Sequence, residues 1–151
     1  TSGGLGTMGF GTGAAIGAQI ANPQKTVVHF AGDGSFRMNC NELATIAHYK
    51  LPVIIVIVDN GTLGNVRMWQ TLFYEKHYSQ TTLDFGPDFV KLAEAYGIQG
   101  YSAENEAQFK KSFDSALASG KPAVIDAKIN IDEMVFPMIP PGKPIENLLL
   151  E

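Results

Sequence analysis

Two short polar side chains, Asp33 and Asn60, each stand at the end of an apolar run. Asp33 lies in Gly32-Asp33-Gly34, directly after Thr26-Val27-Val28-His29-Phe30-Ala31. Asn60 follows Val53-Ile54-Ile55-Val56-Ile57-Val58 and Asp59. A helical pattern separates the two runs, so the segment reads as strand–helix–strand, a crossover that is right-handed in nearly all cases and lays its strands parallel. Both residues then leave the carboxyl ends of parallel strands, where open α/β sheets bind ligands. A carboxylate, an amide oxygen and the backbone carbonyl of Thr62 form a hard, all-oxygen set suited to Mg²⁺. That ion completes its octahedron with water and the phosphate oxygens of a ligand. These residues describe a cradle for a metal and a diphosphate.

Gly-Asp-Gly alone is also what a plain turn looks like, because all three residues favour turns. Its placement after a buried-type strand, with an Asn closing the next strand 27 positions on, weighs against the plain turn, and both readings stand until the rest of the chain is read. The pattern resembles the thiamine-diphosphate signature, in which Gly-Asp-Gly is followed a few tens of residues later by Asn.

The elements that must position these residues follow from composition and periodicity. With 151 residues the chain is read as one domain, long enough for a substantial core. Hydrophobic residues at 45% and charged ones at 17% fit an ordinary soluble globule. A net charge of −4, with no Lys/Arg stripe, argues against a nucleic-acid or anionic-membrane surface. No signal peptide and no apolar run of about 18 residues is present, so a cytoplasmic location is expected. Cys40 is the single cysteine, which excludes an intrachain disulfide and a Cys-based zinc site. Seven of the sixteen glycines fall within the first 17 residues, a bias that marks backbone approaching a ligand or another backbone. The opening Thr1-Ser2-Gly3-Gly4-Leu5-Gly6 resembles the middle of a protein, and the expectation is a domain cut from a longer polypeptide.

Along the chain, residues 1–9 read as a Gly-rich loop and 11–21 as a small-residue helix stopped by Asn22-Pro23. A strand at 26–31 leads into the Gly-Asp-Gly loop. Asn39, with Glu42 at the capping-box position, is expected to cap a helix whose inward face is Leu43, Ile46, Ala47 and either Lys50 or Leu51. Pro52 restarts the chain as the strand ending near Asp59. A helix is expected at 64–74, where Val66, Trp69, Leu72 and Phe73 recur at helical spacing, and 75–85 is loop-like. Pro87 begins a helix through Phe89, Leu92, Ala93 and Tyr96, with Gly97 as its cap. A strand at 98–102, a helix at 105–119 ended by Gly120, and a strand at 123–129 follow. The tail, 130–151, is Pro-rich and irregular. The fold class expected is an open, mainly parallel α/β sheet with helices on both faces.

Three segments narrow the resemblance: Thr1 to Gly9; Gly61-Thr62-Leu63-Gly64-Asn65-Val66-Arg67-Met68-Trp69-Gln70 with Phe73-Tyr74-Glu75-Lys76-His77-Tyr78; and Val135-Phe136-Pro137-Met138-Ile139-Pro140-Pro141-Gly142. In this order they closely resemble acetolactate synthase (acetohydroxyacid synthase), as the carboxyl-terminal thiamine-diphosphate-binding domain of its large catalytic subunit. The resemblance covers essentially the whole chain. It implies Mg²⁺ held by Asp33, Asn60 and the Thr62 carbonyl. Gly34 and Ser35 become diphosphate contacts. Gly6 and Met8 hold the aminopyrimidine, Met8 as an apolar wedge, a role that suits a flexible thioether. Leu63, Gly64 and Asn65 are implied cofactor neighbours, and Trp69 the substrate-site tryptophan. The implied reaction decarboxylates pyruvate and condenses the product with pyruvate or 2-oxobutyrate, a step toward valine, leucine and isoleucine. The resemblance also implies the enzyme's amino-terminal and middle domains, a homodimer or tetramer, a small regulatory subunit, and FAD held mainly by the middle domain. It implies no catalytic residue in this chain, since the activating glutamate of such enzymes comes from the amino-terminal domain of a neighbouring subunit. Glu42 reads as a cap, and Glu75, Glu94 and Glu104 as solvated faces.

Several positions depart from the family pattern. Asp59-Asn60 replaces a usual Asn-Asn, Asn65 a Met, Met68 a Gln, and Thr12-Gly13 a Leu-Pro. Other side chains have plainer readings: Arg37 as surface, His29 as a satisfied core residue, His48 at a helix C-terminus, His77 outside the pocket, and Cys40 as an inert buried thiol. Two rivals stand beside the resemblance. One is another thiamine enzyme, such as a pyruvate oxidase or a different carboligase, disfavoured by Trp69-Gln70 and Phe73-Tyr74-Glu75. The other is a non-enzymatic nucleotide-binding module. Gly4-Leu5-Gly6-Thr7-Met8-Gly9 has dinucleotide spacing, but no strand precedes it.

Overall fold

The run Val53–Asp59 (β2) is buried along almost its whole length, the pattern of a strand covered on both faces of a parallel sheet. The computed structural model, which describes residues 1–150, places it inside a four-stranded sheet with Val27–Gly32 (β1), Gln99–Ala103 (β3) and Ala123–Lys128 (β4). The strand order is β1-β2-β4-β3, and every pairing is parallel. The expected "mainly parallel" sheet is wholly parallel, and each return along it needs a helical crossover.

Alternation along β2 divides the core. Val53, Ile55 and Ile57 pack on one face with Ala15 and Ile16 of α1 (Phe10–Ala21), Leu43 and Ile46 of α3 (Leu43–Tyr49), and Phe89 and Ala93 of α5 (Phe89–Ala95). Ile54 and Val56 pack on the other with Phe109, Phe113 and Ala116 of α6 (Glu106–Ser119). Helices therefore cover both faces, as expected. Burying each Ile or Val contributes about 1.5–3 kcal/mol, so the two apolar rows of β2 anchor the domain. Capping fits the chemistry of the sequence at two helices. The Asp88 carboxylate accepts from Lys91 N–H at 3.0 Å, and the Asn105 amide oxygen accepts from Gln108 N–H at 3.0 Å.

Two local expectations are corrected. Gly32-Asp33-Gly34 is the start of a short helix, Asp33–Arg37 (α2), rather than a loop. Gly32 stays extended (φ −71°, ψ 153°), and Asp33 takes the first turn, where a carboxylate complements the helix dipole. Asn39 and Glu42 form no capping box. The Asn39 amide donates to the Gly9 carbonyl at 3.4 Å, and Glu42 accepts from the Thr45 hydroxyl at 2.8 Å. The helix Gly64–Phe73 (α4) turns Met68 inward, while Val66, Trp69 and Phe73 are exposed. Gly97 closes α5 as expected: at φ 72° its N–H donates to the Glu94 carbonyl at 2.8 Å, and the Ile98 N–H donates to the Ala93 carbonyl at 2.9 Å. The tail is irregular as expected, apart from one turn at Ile145–Asn147 and a bridge between Met138 and Leu149.

Two glycines of α1 separate necessity from composition. A Cβ at Gly11 would lie 2.2 Å from His29 Cε1, whereas one at Gly13 would meet nothing within 4 Å. Gly11→Ala should destabilise the chain by about 1–3 kcal/mol through overpacking. Gly13→Ala should stabilise it by about 0.5–1 kcal/mol through helix propensity. Urea unfolding of the two variants checks this; equal shifts would show that His29 moves aside freely.

Candidate functional site

At the carboxyl ends of β1, β2 and β4 the apolar face gives way to charge. Beyond Ile57 on β2 comes Asp59, and beyond Val124 on β4 come Asp126 and Lys128, each on the same face by strand alternation. Asp33 follows the end of β1. Asp33, Asp59 and Asp126 are all buried, at 4%, 9% and 4% exposure. Lys128 pairs with both neighbours: its Nζ donates to Asp59 Oδ2 and lies 2.9 Å from Asp126 Oδ2.

The loop after β2 is held rigidly. Asn60 Oδ1 accepts from Thr62 N–H at 3.2 Å, and Asp59 Oδ1 accepts from Gly61 N–H at 3.0 Å. Leu63 N–H donates to the Thr81 carbonyl at 2.8 Å and Leu83 N–H to the Gly61 carbonyl at 2.7 Å. The Thr62 hydroxyl also donates to the Thr81 carbonyl, at 2.8 Å. Among the described residues, none of these loop bonds occupies the Thr62 carbonyl. On the opposite wall, the Ser35 hydroxyl accepts from Gly9 N–H at 3.1 Å, tying the Gly-rich loop to α2. Gly34 is where the walls close: an added Cβ would lie 2.8 Å from Leu63 Cδ2 and 3.4 Å from Met8 Cε.

Between these walls lies a cleft of about 340 Å³ lined by Met8, Asp33, Gly34, Ser35, Asn60, Thr62, Leu63, Gly64 and Asn65. Nine of the eleven site residues read from the sequence thus share one cavity. Gly6 lies elsewhere, in a cavity with Ser35 and the start of α1. Trp69 lines an adjoining open groove of about 960 Å³, which shares Asn65 and Val66 with the cleft. It is 41% exposed, and its ring meets Phe73 edge-on at 6.0 Å, so it is not a core residue. Arg37 stands outside the cleft, 4.9 Å over the Phe85 ring. His29 faces Thr12 Oγ1 at 3.3 Å, and Cys40 is half-buried against the core.

Sequence reasoning passed over Asp126, Lys128 and Glu133. Glu133 lines the cleft. Asp126 and Lys128 could have been noticed as charges two apart on the core-facing side of an otherwise apolar strand. Asp59 is already marked by its place beside Asn60, but its pairing with Lys128 is not readable, because strand adjacency is not written locally.

The electrostatics favour a cation. Burial pushes the Asp33 carboxyl up to about 6, and the neighbouring Asp59 adds to the rise while the Gly34 N–H opposes it. Burial works against ionising Asp59 too, but hydrogen bonds from Lys128 and Gly61 N–H prevail and hold it below the usual carboxylate range. Burial pushes Asp126 up, with Lys128 opposing. Burial would lower Lys128, yet its two carboxylate partners hold it above an ordinary lysine. No group of three or more His, Cys, Asp or Glu side chains among the described residues is arranged to hold a metal. The donor set is instead one carboxylate with amide and carbonyl oxygens, the chemistry Mg²⁺ accepts when a ligand's phosphates complete its shell. The residues present fit both a magnesium ion and a diphosphate.

Residues 1–127 match the family described as "Thiamine pyrophosphate enzyme, C-terminal TPP binding domain". The chain belongs to this family of thiamine-diphosphate-binding domains. Among its relatives, the acetolactate synthase isozyme 2 large subunit of Escherichia coli K12 is 49% identical over 142 residues, covering 94% of this chain and 26% of that protein. The probable acetolactate synthase large subunit of Methanocaldococcus jannaschii is 47% identical over 148 residues, covering 98% and 25%. A solved thiamine diphosphate-dependent 4-hydroxybenzoylformate decarboxylase from Rhodococcus jostii RHA1 superposes with a TM-score of 0.77 at 38% identity, covering 84% of this chain and 24% of that one. The chain thus spans about a quarter of the length of these relatives. No helix among the described residues is long and apolar enough to cross a membrane.

The raised Asp33 carboxyl has a consequence for the metal-free chain. Held at about 6 when folded and at 3.8 when unfolded, it binds its proton more tightly in the folded state. Stability from this group is therefore greatest below 3.8 and is lost as pH rises through 6, by at most about 3 kcal/mol. Urea unfolding across pH 3.5–7.5 should show this decline relative to Asp33→Asn, which removes the titration. A difference between the two proteins that stays constant with pH would contradict the assignment.

Proposed function

We propose that this domain is the metal- and diphosphate-holding half of an acetolactate synthase active site. The observation that carries the proposal is the single cleft that gathers Met8, Asp33, Gly34, Ser35, Asn60 and Thr62 at the carboxyl edge of the sheet. Asp33, Asn60 and the Thr62 carbonyl would hold Mg²⁺. The Gly34 N–H and the Ser35 hydroxyl, whose proton is not consumed by its bond from Gly9, would meet the diphosphate. Met8, packed beside Gly34, would lie against the cofactor as an apolar wedge. When bound, thiamine diphosphate supplies a nucleophilic carbon that decarboxylates pyruvate and transfers the remaining two carbons to a second 2-oxo acid. The acetolactate synthases among the relatives named above support pyruvate as that acceptor, and the family resemblance adds 2-oxobutyrate and a role in branched-chain amino-acid synthesis.

The same proposal assigns the remaining parts to residues outside this chain. Glu133 lines the cleft but is exposed, and the glutamate that activates the aminopyrimidine is expected from another domain of a dimeric enzyme. FAD, a small regulatory subunit and a cytoplasmic location belong to the proposal through the resemblance to acetolactate synthase large subunits. A second reading, a 2-oxo-acid decarboxylase without the condensation, draws on the Rhodococcus jostii fold match; product analysis separates it, since it yields an aldehyde instead of a hydroxy acid.

Asp33→Ala in the native enzyme should abolish most Mg²⁺-dependent thiamine diphosphate binding while the fold survives. Calorimetric titration with equal affinities for wild type and variant would contradict the ligand assignment.

Trp69 offers an apolar indole to the groove beside the cleft. One methylene in such a pocket discriminates by about 1–3 kcal/mol, so the native enzyme should prefer 2-oxobutyrate to pyruvate as acceptor. Trp69→Leu should erase most of that preference and leave decarboxylation of the first pyruvate largely intact. Competition between the two acceptors, read as the ratio of 2-aceto-2-hydroxybutyrate to 2-acetolactate, checks it; an unchanged ratio would remove Trp69 from the substrate site.

A further inference from the structure

Asp59 places a second carboxylate directly beside the ligand Asn60. Both of its oxygens are committed: Oδ1 accepts from Gly61 N–H at 3.0 Å, and Oδ2 accepts from Lys128 Nζ. Lys128 stands opposite Asp59 in the β2–β4 register, and its Nζ also meets Asp126 Oδ2 at 2.9 Å. The other oxygen of Asp126, Oδ1, is buried without a hydrogen-bond partner. This group lies on the far side of the ligands from the cofactor cleft. Asp33 and Asn60 line both the cleft and a second cavity of about 330 Å³, whereas Asp59 and Lys128 line the second cavity and not the cleft. The ligands form a partition, and Lys128 holds Asp59 behind it.

We propose that Lys128 is a positioning residue of the metal site, which keeps the Asp59 carboxylate out of the cation's coordination sphere. The charges agree with this. Asp33, Asp59 and Asp126, with Glu133 in the cleft, face Lys128 and the Arg37 of the second cavity, a net of two negative charges that favours a divalent cation. Mg²⁺ demands near-octahedral geometry with few positions to spare. Three go to Asp33, Asn60 and the Thr62 carbonyl, and a released Asp59 would take a fourth that a diphosphate oxygen needs. Lys128 therefore makes the metal bind with the diphosphate rather than before it. Its side chain is 47% exposed, so it serves as a counter-ion rather than as core packing. This inference rests on the metal–diphosphate assignment made above.

The test is Mn²⁺ binding followed by electron paramagnetic resonance, in native enzyme stripped of metal and cofactor, with and without thiamine diphosphate. Lys128→Met should bind Mn²⁺ alone about tenfold more tightly and thiamine diphosphate about tenfold more weakly, the scale of removing one partly screened neighbouring charge. Lys128→Arg should retain wild-type behaviour, and Lys128→Met with Asp59→Asn should restore both affinities. A purely structural ion pair would lower both affinities together. Wild-type constants in Lys128→Met, a parallel loss of both, or no restoration in the double variant would each overturn the inference. Should Lys128→Met not fold, Lys128→Gln is read by the same criteria. Wild-type enzyme that binds no Mn²⁺ even with thiamine diphosphate would overturn the metal assignment itself, an outcome distinct from the others.

Discussion

Three carboxylates and one ammonium share the carboxyl edge of one sheet face, and much of the domain serves to keep them there. Carboxylates out of water are costly unless paired or bound to a cation. Asp59 meets this cost with Lys128 and the Gly61 N–H. Asp126 meets it in part, leaving one oxygen without a partner. Asp33 does not, and burial raises its carboxyl. The domain thus stores a deficit of positive charge at one place. In the function proposed above, a divalent cation that also grips a diphosphate would resolve it.

The apolar part of the fold is what makes that deficit possible. β2 is flanked by β1 on one side and β4 on the other, so the ends of three parallel strands converge within one face. The rows Val53, Ile55 and Ile57 and Ile54 and Val56 fix the register through packing on both faces. A slip of one residue would send Asp59 to the opposite face and separate it from Lys128. The site loops add little core of their own. They are stitched by backbone bonds between 61–63 and 81–83 and by the Gly9–Ser35 bond, which suits a cleft that must admit a ligand without collapsing.

Much of this was legible in the sequence. Continuous Val/Ile runs ending in Asp33 and Asn60 declare buried parallel strands and their ligand-binding ends, because few other residues fit a strand covered on both faces. The Gly-rich start and the Trp69 segment carry the family resemblance. Other features depend on tertiary choices. Gly-Asp-Gly has turn propensity, yet Gly32 remains extended and Asp33 begins a helix. Asn39 has the spacing of a cap, but Gly9 claims its amide. Val66, Trp69 and Phe73 recur at helical spacing, yet that stripe lines the groove while Met68 holds the buried position. Asp126 and Lys128 acquire meaning only once β4 is known to lie beside β2, a fact of strand order that no local pattern contains.

The proposed site turns on one cation position. Anomalous scattering from a crystal of the native enzyme with Mn²⁺ and thiamine diphosphate locates it directly. The ion should lie at direct ligand distance from the Asp33 carboxylate, the Asn60 amide oxygen and the Thr62 carbonyl, with Asp59 still on Lys128. An ion bound instead by Asp59 or Asp126, or a diphosphate seated away from Gly34 and Ser35, would contradict it.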